Sequence, residues 1–155
     1  TSIASTTQAD ESGDAAGSSD RRRLRTQSMA RILVIDDDQV QRRIIRAILT
    51  ERGHHVTDAG DGHQGIRLQK EHAFDLVLTD IVMPGMDGIE TVRELVRLYP
   101  GLKIIAFSAH ENGYLDAAMK FGAMEVLAKP LLPDVLTDHV DNCLRAGREA
   151  GAITN

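Results

Sequence analysis

Apolar and polar residues follow two alternating patterns along the chain from Arg31 onward. Short apolar segments are separated by longer segments in which apolar residues recur every three or four positions. The short segments predict β-strands, and the longer ones predict amphipathic α-helices. A chain in which strands and helices alternate forms a parallel sheet with helices packed on both faces. The predicted strands are 32–35, a segment around Val56, 76–78, 104–107 and 126–128.

The composition of two strands predicts where they lie in the sheet. Residues 32–35 are all apolar and do not alternate with polar residues, which predicts a central strand buried on both faces. Residues 54–58 read His-His-Val-Thr-Asp, and a strand this polar is expected at an edge. The sequence therefore predicts that the first strand lies inside the sheet and the second at its border.

The predicted helices have recognisable first turns and faces. In three of them an Asp is followed three positions later by Gln or Glu, which predicts an N-cap. These pairs are Asp38 with Gln41, Asp61 with Gln64, and Asp87 with Glu90. We expect the buried face of the first helix to consist of Val40, Ile44, Ala47 and Ile48. Its outer face is expected to carry Arg42, Arg43 and Arg46.

Charge is distributed unevenly along the 155 residues, which have a formal net charge of −5. Residues 1–28 contain four acidic residues and four arginines, so they are neutral and the rest of the chain carries the whole excess. The same segment is too poor in large apolar residues to offset the entropy lost on ordering. We expect a disordered tail or linker over 1–28, a folded domain over 29–150 and a C-terminal tail over 151–155.

Composition also excludes several classes of protein. A single Cys excludes an internal disulfide and any CxxC zinc or redox motif. No apolar run approaches the roughly 20 residues of a membrane span, and no signal peptide is recognisable. The acidic balance argues against a protein that coats nucleic acid. We therefore expect a small soluble cytoplasmic protein.

Polar residues follow four of the five predicted strands. Asp36 and Asp37 follow the first strand, Asp80 the third, Ser108 the fourth and Lys129 the fifth. Because the carboxyl ends of parallel strands meet at one edge, where such sheets bind ligands, we expect these side chains to lie together. Three neighbouring carboxylates repel one another, and an all-oxygen site of this kind suits Mg²⁺. One carboxylate could then attack a phosphoryl group whose charge the metal, the ammonium and the hydroxyl neutralise.

Four segments resemble the receiver domain of two-component response regulators. They are 31–38 (Arg-Ile-Leu-Val-Ile-Asp-Asp-Asp), 75–88 around Thr79-Asp80, 104–109 (Ile-Ile-Ala-Phe-Ser-Ala) and 128–130 (Ala-Lys-Pro). The resemblance runs from about Arg31 to Arg148 and includes the order and spacing of all four segments. It implies an α/β fold of the flavodoxin-like type: a doubly wound, five-stranded parallel sheet of order 2-1-3-4-5 with five helices.

The resemblance also implies roles for individual residues. Asp80 would be the phosphoacceptor and, with Asp36 and Asp37, a ligand of Mg²⁺ or Mn²⁺. Asp37 would bind the metal directly, Asp36 largely through water, and the backbone carbonyl of Val82 would complete the metal shell. Such a protein is a signalling switch that catalyses its own phosphorylation and dephosphorylation, and is not a metabolic enzyme.

Lys129 and Ser108 would bind the transferred phosphoryl group in such a domain. Lys129 would pair first with Asp80 and then with its phosphoryl group, next to a cis peptide bond to Pro130, and Ser108 would swing towards the phosphoryl group. Receiver domains often carry an aromatic residue three positions before the lysine, but this chain has Val126 there. An aromatic switch is therefore not expected here. Val82 cannot orient water for hydrolysis, and whether His110 does so is left open.

The expected partners follow from the same resemblance. The phosphodonor would be a phosphohistidine on a histidine kinase or a phosphotransfer domain, docked on Arg42, Arg43 and Arg46 of the first helix. The downstream protein target would bind the face formed by helix 4, strand 5 and helix 5, because no DNA-binding domain or membrane segment is recognised. Residues 1–28 fit either a leader on a stand-alone regulator or a linker in a hybrid kinase.

Two other motifs suggest different chemistry. The first strand with Asp36 and Asp38 resembles haloacid-dehalogenase-like phosphatases, in which Asp36 would be the nucleophile. Those enzymes need a later acidic residue on a strand, whereas Asp134, Asp138 and Asp141 have helical spacing. Residues 60–65 satisfy G-x-G-x-x-G, but they follow the polar second strand rather than the central first strand that a dinucleotide site requires. We expect these glycines to form a turn and a helix start.

Overall fold

A computed structural model describes residues 29–109 and 113–153, with side chains up to Ala146. The predicted tail 1–28 lies outside the described residues, and so does His110. The last helix continues to Ile153 and so includes most of the segment 151–155 that was expected to form a tail. Within the described part of the chain, no helix is both long and apolar enough to cross a membrane.

Five parallel strands form one sheet in the order β2-β1-β3-β4-β5, as predicted. β1 is buried along its whole length after Arg31, and β2 is the partly exposed edge strand that its polar sequence indicated. The central strands pair in register, with Ile35 opposite Thr79 and Thr79 opposite Ala106. The strands are β1 Arg31–Ile35, β2 His55–Ala59, β3 Leu76–Asp80, β4 Lys103–Ser108 and β5 Glu125–Ala128.

Five helices cover the two faces of the sheet in the described residues. α1 and α5 pack on one face through Ile45, Leu49, Leu136 and Val140. α2, α3 and α4 pack on the other face, where Val92, Leu95 and Ala118 belong to the second hydrophobic core. The helices are α1 Gln39–Glu51, α2 Gly62–His72, α3 Gly88–Leu98, α4 Tyr114–Lys120 and α5 Pro133–Ile153.

The three predicted N-caps are confirmed. A carboxylate oxygen of Asp38 accepts from the backbone N–H of Val40 at 2.9 Å, and Asp61 accepts from the backbone of Gln64 at 2.8 Å. Asp87 accepts from the N–H of Glu90 at 2.9 Å. Each of these bonds satisfies an amide that the first helical turn leaves without a partner, and is worth about 1 kcal/mol of stability.

The predicted buried face of α1 is confirmed for Ile48, which packs against the core, and is wrong for Val40, Ile44 and Ala47, which are exposed. Ile45 and Leu49 are fully buried, whereas Val40 and Ile44 are 64% and 47% exposed. α1 has apolar residues on two adjacent faces, so periodicity alone could not tell which face meets the sheet. An apolar stripe formed by Val40 and Ile44 therefore lies on the surface of the domain.

His54, a buried residue just before β2, is expected to make the folded chain less stable in mild acid. Its Nδ1 accepts a hydrogen bond from the backbone N–H of Ala30 at 3.1 Å, so Nδ1 carries no proton and the ring is neutral. Burial lowers the pKa of His54 below 6.5, nearby Arg52 lowers it further, and Asp141 opposes the shift. Below pH 6.5 the unfolded chain therefore takes up the proton more readily than the folded chain, and the free energy of unfolding falls as the pH falls.

Urea denaturation at about pH 7.5 and about pH 5.5 measures this effect. The wild-type chain should lose more stability between the two values than His54→Gln, which keeps an acceptor but does not titrate. His55→Gln, at the exposed neighbouring position, should behave like the wild type. An equal loss in wild type and His54→Gln would show that His54 does not carry the effect.

Candidate functional site

The carboxyl edge of the sheet brings together the polar residues that the sequence singled out. Asp36 directly follows β1, Asp80 ends β3, Ser108 ends β4 and Lys129 directly follows β5. Carboxylate oxygens of Asp36, Asp37 and Asp80 lie within 4.8 Å of one another. Strand topology alone therefore assembles the cluster, because residues far apart in sequence share one end of a parallel sheet.

Lys129 is the cation that faces this cluster. Its Nζ lies 3.2 Å from a carboxylate oxygen of Asp80 and 3.5 Å from one of Asp36. The same Nζ lies 5.3 Å from the centre of the Phe107 ring, which is close enough for a cation–π interaction. The peptide bond between Lys129 and Pro130 is cis, as expected. Lys129 thus lies between two carboxylates, with its side chain largely withdrawn from solvent.

Asp36 is the most deeply buried of the three carboxylates. Its pKa is raised to about 6, first because burial penalises the charged form. The N–H of Asp38, which donates to the Asp36 carboxylate at 3.0 Å, lowers the pKa, as does Lys129, whereas Asp80 raises it. Three carboxylates against one ammonium leave an excess of negative charge at the site.

This donor set fits a hard divalent cation. Three carboxylates offer oxygen ligands within a few ångströms of one another, and Asp37 is exposed, so the cluster is open to solvent on one side. Mg²⁺ usually keeps several waters and takes only a few carboxylates from the protein, which matches a site that is closed on one side and open on the other. Asp36, Asp37 and Asp80 are the residues that would hold such an ion.

Val82 lies at the rim of the cluster, two residues after Asp80. Its backbone N–H points to a carboxylate oxygen of Asp80 at 3.3 Å, and the residue is 40% exposed. The Val82 side chain carries only methyl groups, so it has no atom that could hydrogen-bond a water molecule. The role of its carbonyl as a metal ligand stays a prediction.

Ser108 is almost completely buried at the end of β4. It is paired in register with Ala128, and its carbonyl accepts the N–H of Lys129 at 2.9 Å. The backbone therefore keeps Ser108 and Lys129 side by side at the edge of the sheet. Val126, three positions before Lys129, is half-buried against the core that α2, α3 and α4 cover.

Gly88 supports the site in a way that the sequence reading missed. Its N–H donates to the carbonyl of Ile81 at 2.7 Å, so α3 begins directly against the loop that follows Asp80. A Cβ at this position would overlap the carbonyl oxygen of Asp80. Only glycine lets the first turn of α3 approach the backbone of Asp80 so closely. Met86-Asp87-Gly88, where α3 begins, is the visible signal in the sequence, but the cap and the receiver-like segment that include it assign no role to Gly88 itself.

The three arginines of α1 do not share one environment, which corrects the expectation that all lie on the outer face. The Arg42 side chain is only 16% exposed and lies against β2, with Nε 2.9 Å from Asp58. Its Nη1 donates to the backbone carbonyl of Asp36 at 2.7 Å. Arg46 is 56% exposed and contacts Asp58 at 3.3 Å, and Arg43 is exposed. Arg42 is turned inwards because the Asp58 carboxylate and a strand-end carbonyl offer it partners there.

The glycines of the G-x-G-x-x-G segment serve packing. A Cβ on Gly62 would overlap the hydroxyl of Thr91 in α3, and one on Gly65 would overlap the side chain of Ile35. The two glycines therefore let α2 approach α3 and the sheet closely, which is the turn-and-helix role expected from the sequence.

The phosphatase alternative is not supported. Asp134, Asp138 and Asp141 all lie on α5, so none of them ends a strand after Lys129. The enzymes that this alternative requires take their last acidic residue from such a strand. Among the described residues, the acidic cluster at the carboxyl edge contains no fourth carboxylate that could replace it.

Comparisons with known proteins agree on one family. The family model for the response regulator receiver domain matches residues 32–141. The chain is 40% identical over 124 residues to the transcriptional regulatory protein ZraR of Salmonella typhimurium, covering 78% of this chain and 28% of ZraR. It is 34% identical over 105 residues to the chemotaxis protein CheY of Thermotoga maritima, covering 66% of this chain and 88% of CheY.

A solved structure agrees with these sequence relatives. A CheY-like response regulator receiver domain protein from Methanospirillum hungatei superimposes with a TM-score of 0.76 at 27% identity, covering 79% of this chain and 99% of that one. The chain thus spans little more than a quarter of the length of ZraR, but nearly all of the smaller CheY-like proteins.

Proposed function

This chain belongs to the response regulator receiver domains, and on that premise we propose that it accepts a phosphoryl group on Asp80 and changes its protein contacts when it does so. Receiver domains are signalling switches of two-component phosphorelays. The observation that carries the proposal is the position of Asp80, whose carboxylate lies at the rim between two further carboxylates and the Lys129 ammonium. A nucleophile, a cation and an oxygen-rich metal site thus meet at one point.

The transfer itself is a displacement at phosphorus. An oxygen of Asp80 attacks the phosphorus of a phosphohistidine, a new O–P bond forms, and the N–P bond breaks with its electron pair leaving on the imidazole nitrogen. The product is an acyl phosphate. Its oxygens lie within reach of Lys129, which is already 3.2 Å from Asp80 and can move its ion pair onto them.

The rest of the site is proposed to balance charge during this step. Asp36, Asp37 and Asp80, with the carbonyl of Val82, would hold Mg²⁺ or Mn²⁺, which when bound neutralises negative charge on the transferring phosphoryl group. The Ser108 hydroxyl would donate to a phosphoryl oxygen and move towards it, which couples phosphorylation to the end of β4. Hydrolysis of the acyl phosphate at the same site would reset the switch.

Labelling with a small phosphodonor such as acetyl phosphate tests the proposed function. With Mg²⁺ present, the chain should gain the mass of one phosphoryl group, bound at Asp80 and sensitive to hydroxylamine as an acyl phosphate is. With the metal chelated, labelling should fall at least about tenfold, because the carboxylate cluster then repels the donor. Labelling that does not decrease when the metal is chelated, or that occurs on a residue other than Asp80, would contradict the proposal.

The phosphodonor partner is proposed to dock on the exposed side of α1. Arg43 and Arg46 offer positive charge there, and the apolar stripe of Val40 and Ile44 offers contact area next to the acidic rim. Arg42 is held inside and does not contribute. The downstream target would bind the face formed by α4, β5 and α5, where Met119 and Met124 are 47% and 40% exposed.

Ile44→Asp tests the docking surface. Transfer from a histidine kinase that phosphorylates the wild type should lose at least about tenfold in kcat/KM, since a charge in an apolar contact costs upwards of 1.4 kcal/mol. Labelling by acetyl phosphate should not change. Met119→Asp is the matched control, because Met119 is equally exposed but lies on α4. Equal kinase-dependent rates in Ile44→Asp and the wild type would refute docking on this stripe.

A further inference from the structure

We propose that Arg42 is a positioning residue for the metal-ligating segment, and that Asp58 is its anchor. The proposal rests on the proposed function, because it assigns Arg42 a part in holding the Asp36-Asp37 pair in its binding geometry. Arg42 lies on α1, Asp58 on the edge strand β2, and the Asp36-Asp37 pair in the loop between β1 and α1. Three separate elements therefore meet at one guanidinium group.

The geometry of Arg42 allows it to orient a peptide unit. Its Nε donates to an Asp58 oxygen at 2.9 Å, while Nη1 donates to the carbonyl oxygen of Asp36 at 2.7 Å. That carbonyl belongs to the peptide bond that joins Asp36 to Asp37. Because this bond is planar, fixing its oxygen fixes the orientation of the whole peptide unit, and with it the position from which the Asp37 side chain extends. The guanidinium group is planar and rigid. The hydrogen bond from Nε to Asp58 therefore restricts its rotation and keeps Nη1 directed at the Asp36 carbonyl.

An electrostatic role and a positioning role of Arg42 predict opposite changes in Mg²⁺ affinity when Arg42 is removed. If Arg42 acted only through its positive charge, it would repel a divalent cation, and removing it would strengthen Mg²⁺ binding. If Arg42 acts by orienting the Asp36-Asp37 peptide, removing it lets the loop relax and weakens binding. Groups that hold metal ligands from outside typically change metal affinity by about 10- to 100-fold when they are altered.

The lysine variant separates the two effects most sharply. Arg42→Lys keeps the charge, but its single ammonium cannot reproduce the fork that reaches Asp58 and the Asp36 carbonyl together. The exposed neighbour Arg43 provides the matched controls, since Arg43→Gln and Arg43→Lys change charge and size equally at a position without these contacts.

Titration calorimetry with Mg²⁺ as the only ligand, at fixed pH and salt, measures the effect. Arg42→Gln and Arg42→Lys should each weaken Mg²⁺ binding by about tenfold, and the two Arg43 variants should stay within about twofold of the wild type. Asp58→Asn should also weaken binding, and Arg42→Gln/Asp58→Asn should bind no more weakly than Arg42→Gln alone, because Asp58 acts through Arg42.

Several outcomes would overturn the proposal. If both Arg42 variants bound Mg²⁺ as tightly as the wild type or more tightly, Arg42 would act only through its charge or would not affect Mg²⁺ binding. Additive losses in the double variant would give Asp58 a role of its own. A role in folding alone would lower the free energy of unfolding of each variant while the folded molecules kept wild-type affinity, and urea denaturation of the same samples detects this. Asp37→Ala is the reference: if it binds Mg²⁺ as tightly as the wild type, Asp37 is not a metal ligand, whereas absence of labelling of the wild type at Asp80 by acetyl phosphate would refute the proposed function itself.

Discussion

Asp80→Asn should abolish phosphoryl labelling by acetyl phosphate. The amide is nearly the same size as the carboxylate and can still accept the N–H of Val82, so the loop after β3 keeps its shape. An amide oxygen is a poor nucleophile, however, and the variant cannot form an acyl phosphate at this position. We expect labelling to fall by at least about a thousandfold, which is the usual result when a covalent nucleophile is removed. Intact-protein mass spectrometry after a fixed time measures the loss.

Asp36→Asn is the matched control for this experiment. Asp36 also faces Lys129, but it is fully buried, with one carboxylate oxygen accepting the N–H of Asp38 and the other directed at Lys129. The Asp80 side chain retains 8% exposure whereas that of Asp36 has none, so a phosphoryl donor should reach an oxygen of Asp80 more readily. Asp36→Asn should label slowly but still at Asp80. Labelling that survives in Asp80→Asn and disappears in Asp36→Asn would identify Asp36 as the nucleophile and support the phosphatase alternative.

Much of the fold could be predicted from the sequence because its signals are local or periodic. The apolar segment of β1 indicated a central strand, and the polar segment of β2 indicated an edge. Each N-cap needs only an Asp and a backbone amide two or three residues later, so it can be recognised within one turn. The cluster at the carboxyl edge then follows from topology, since parallel strands bring their last residues together.

The parts that could not be predicted depend on contacts between distant elements. The inward turn of Arg42 needs Asp58, which lies 16 positions later in the chain and on another element. The buried face of α1 is decided by the sheet beneath it, because apolar residues occupy two of its faces. Gly88 is required by the Asp80 carbonyl, and this close approach is visible only once α3 and β3 are in place.

Asp37→Ala should remove Mg²⁺ binding without weakening the metal-free fold. Asp36 and Asp80 each lie against Lys129, whereas no hydrogen bond or ion pair to another described residue holds the exposed side chain of Asp37. Removing one of three crowded carboxylates relieves repulsion in the absence of metal, so the free energy of unfolding should stay the same or rise. The same change removes the solvent-facing ligand, and Mg²⁺ affinity should fall more than about a hundredfold.

Urea denaturation with and without Mg²⁺ detects both effects in one experiment. At a concentration near 100 times its dissociation constant, a ligand of the folded state stabilises it by about 2.7 kcal/mol, and the wild type should show this gain. Asp37→Ala should show almost none. Asp38→Asn is the control, because it removes the same charge one residue away while its side-chain oxygen still caps α1. If Asp37→Ala gained as much stability from Mg²⁺ as Asp38→Asn, Asp37 would not be a metal ligand, and the carboxylates that remain would have to bind the ion without it.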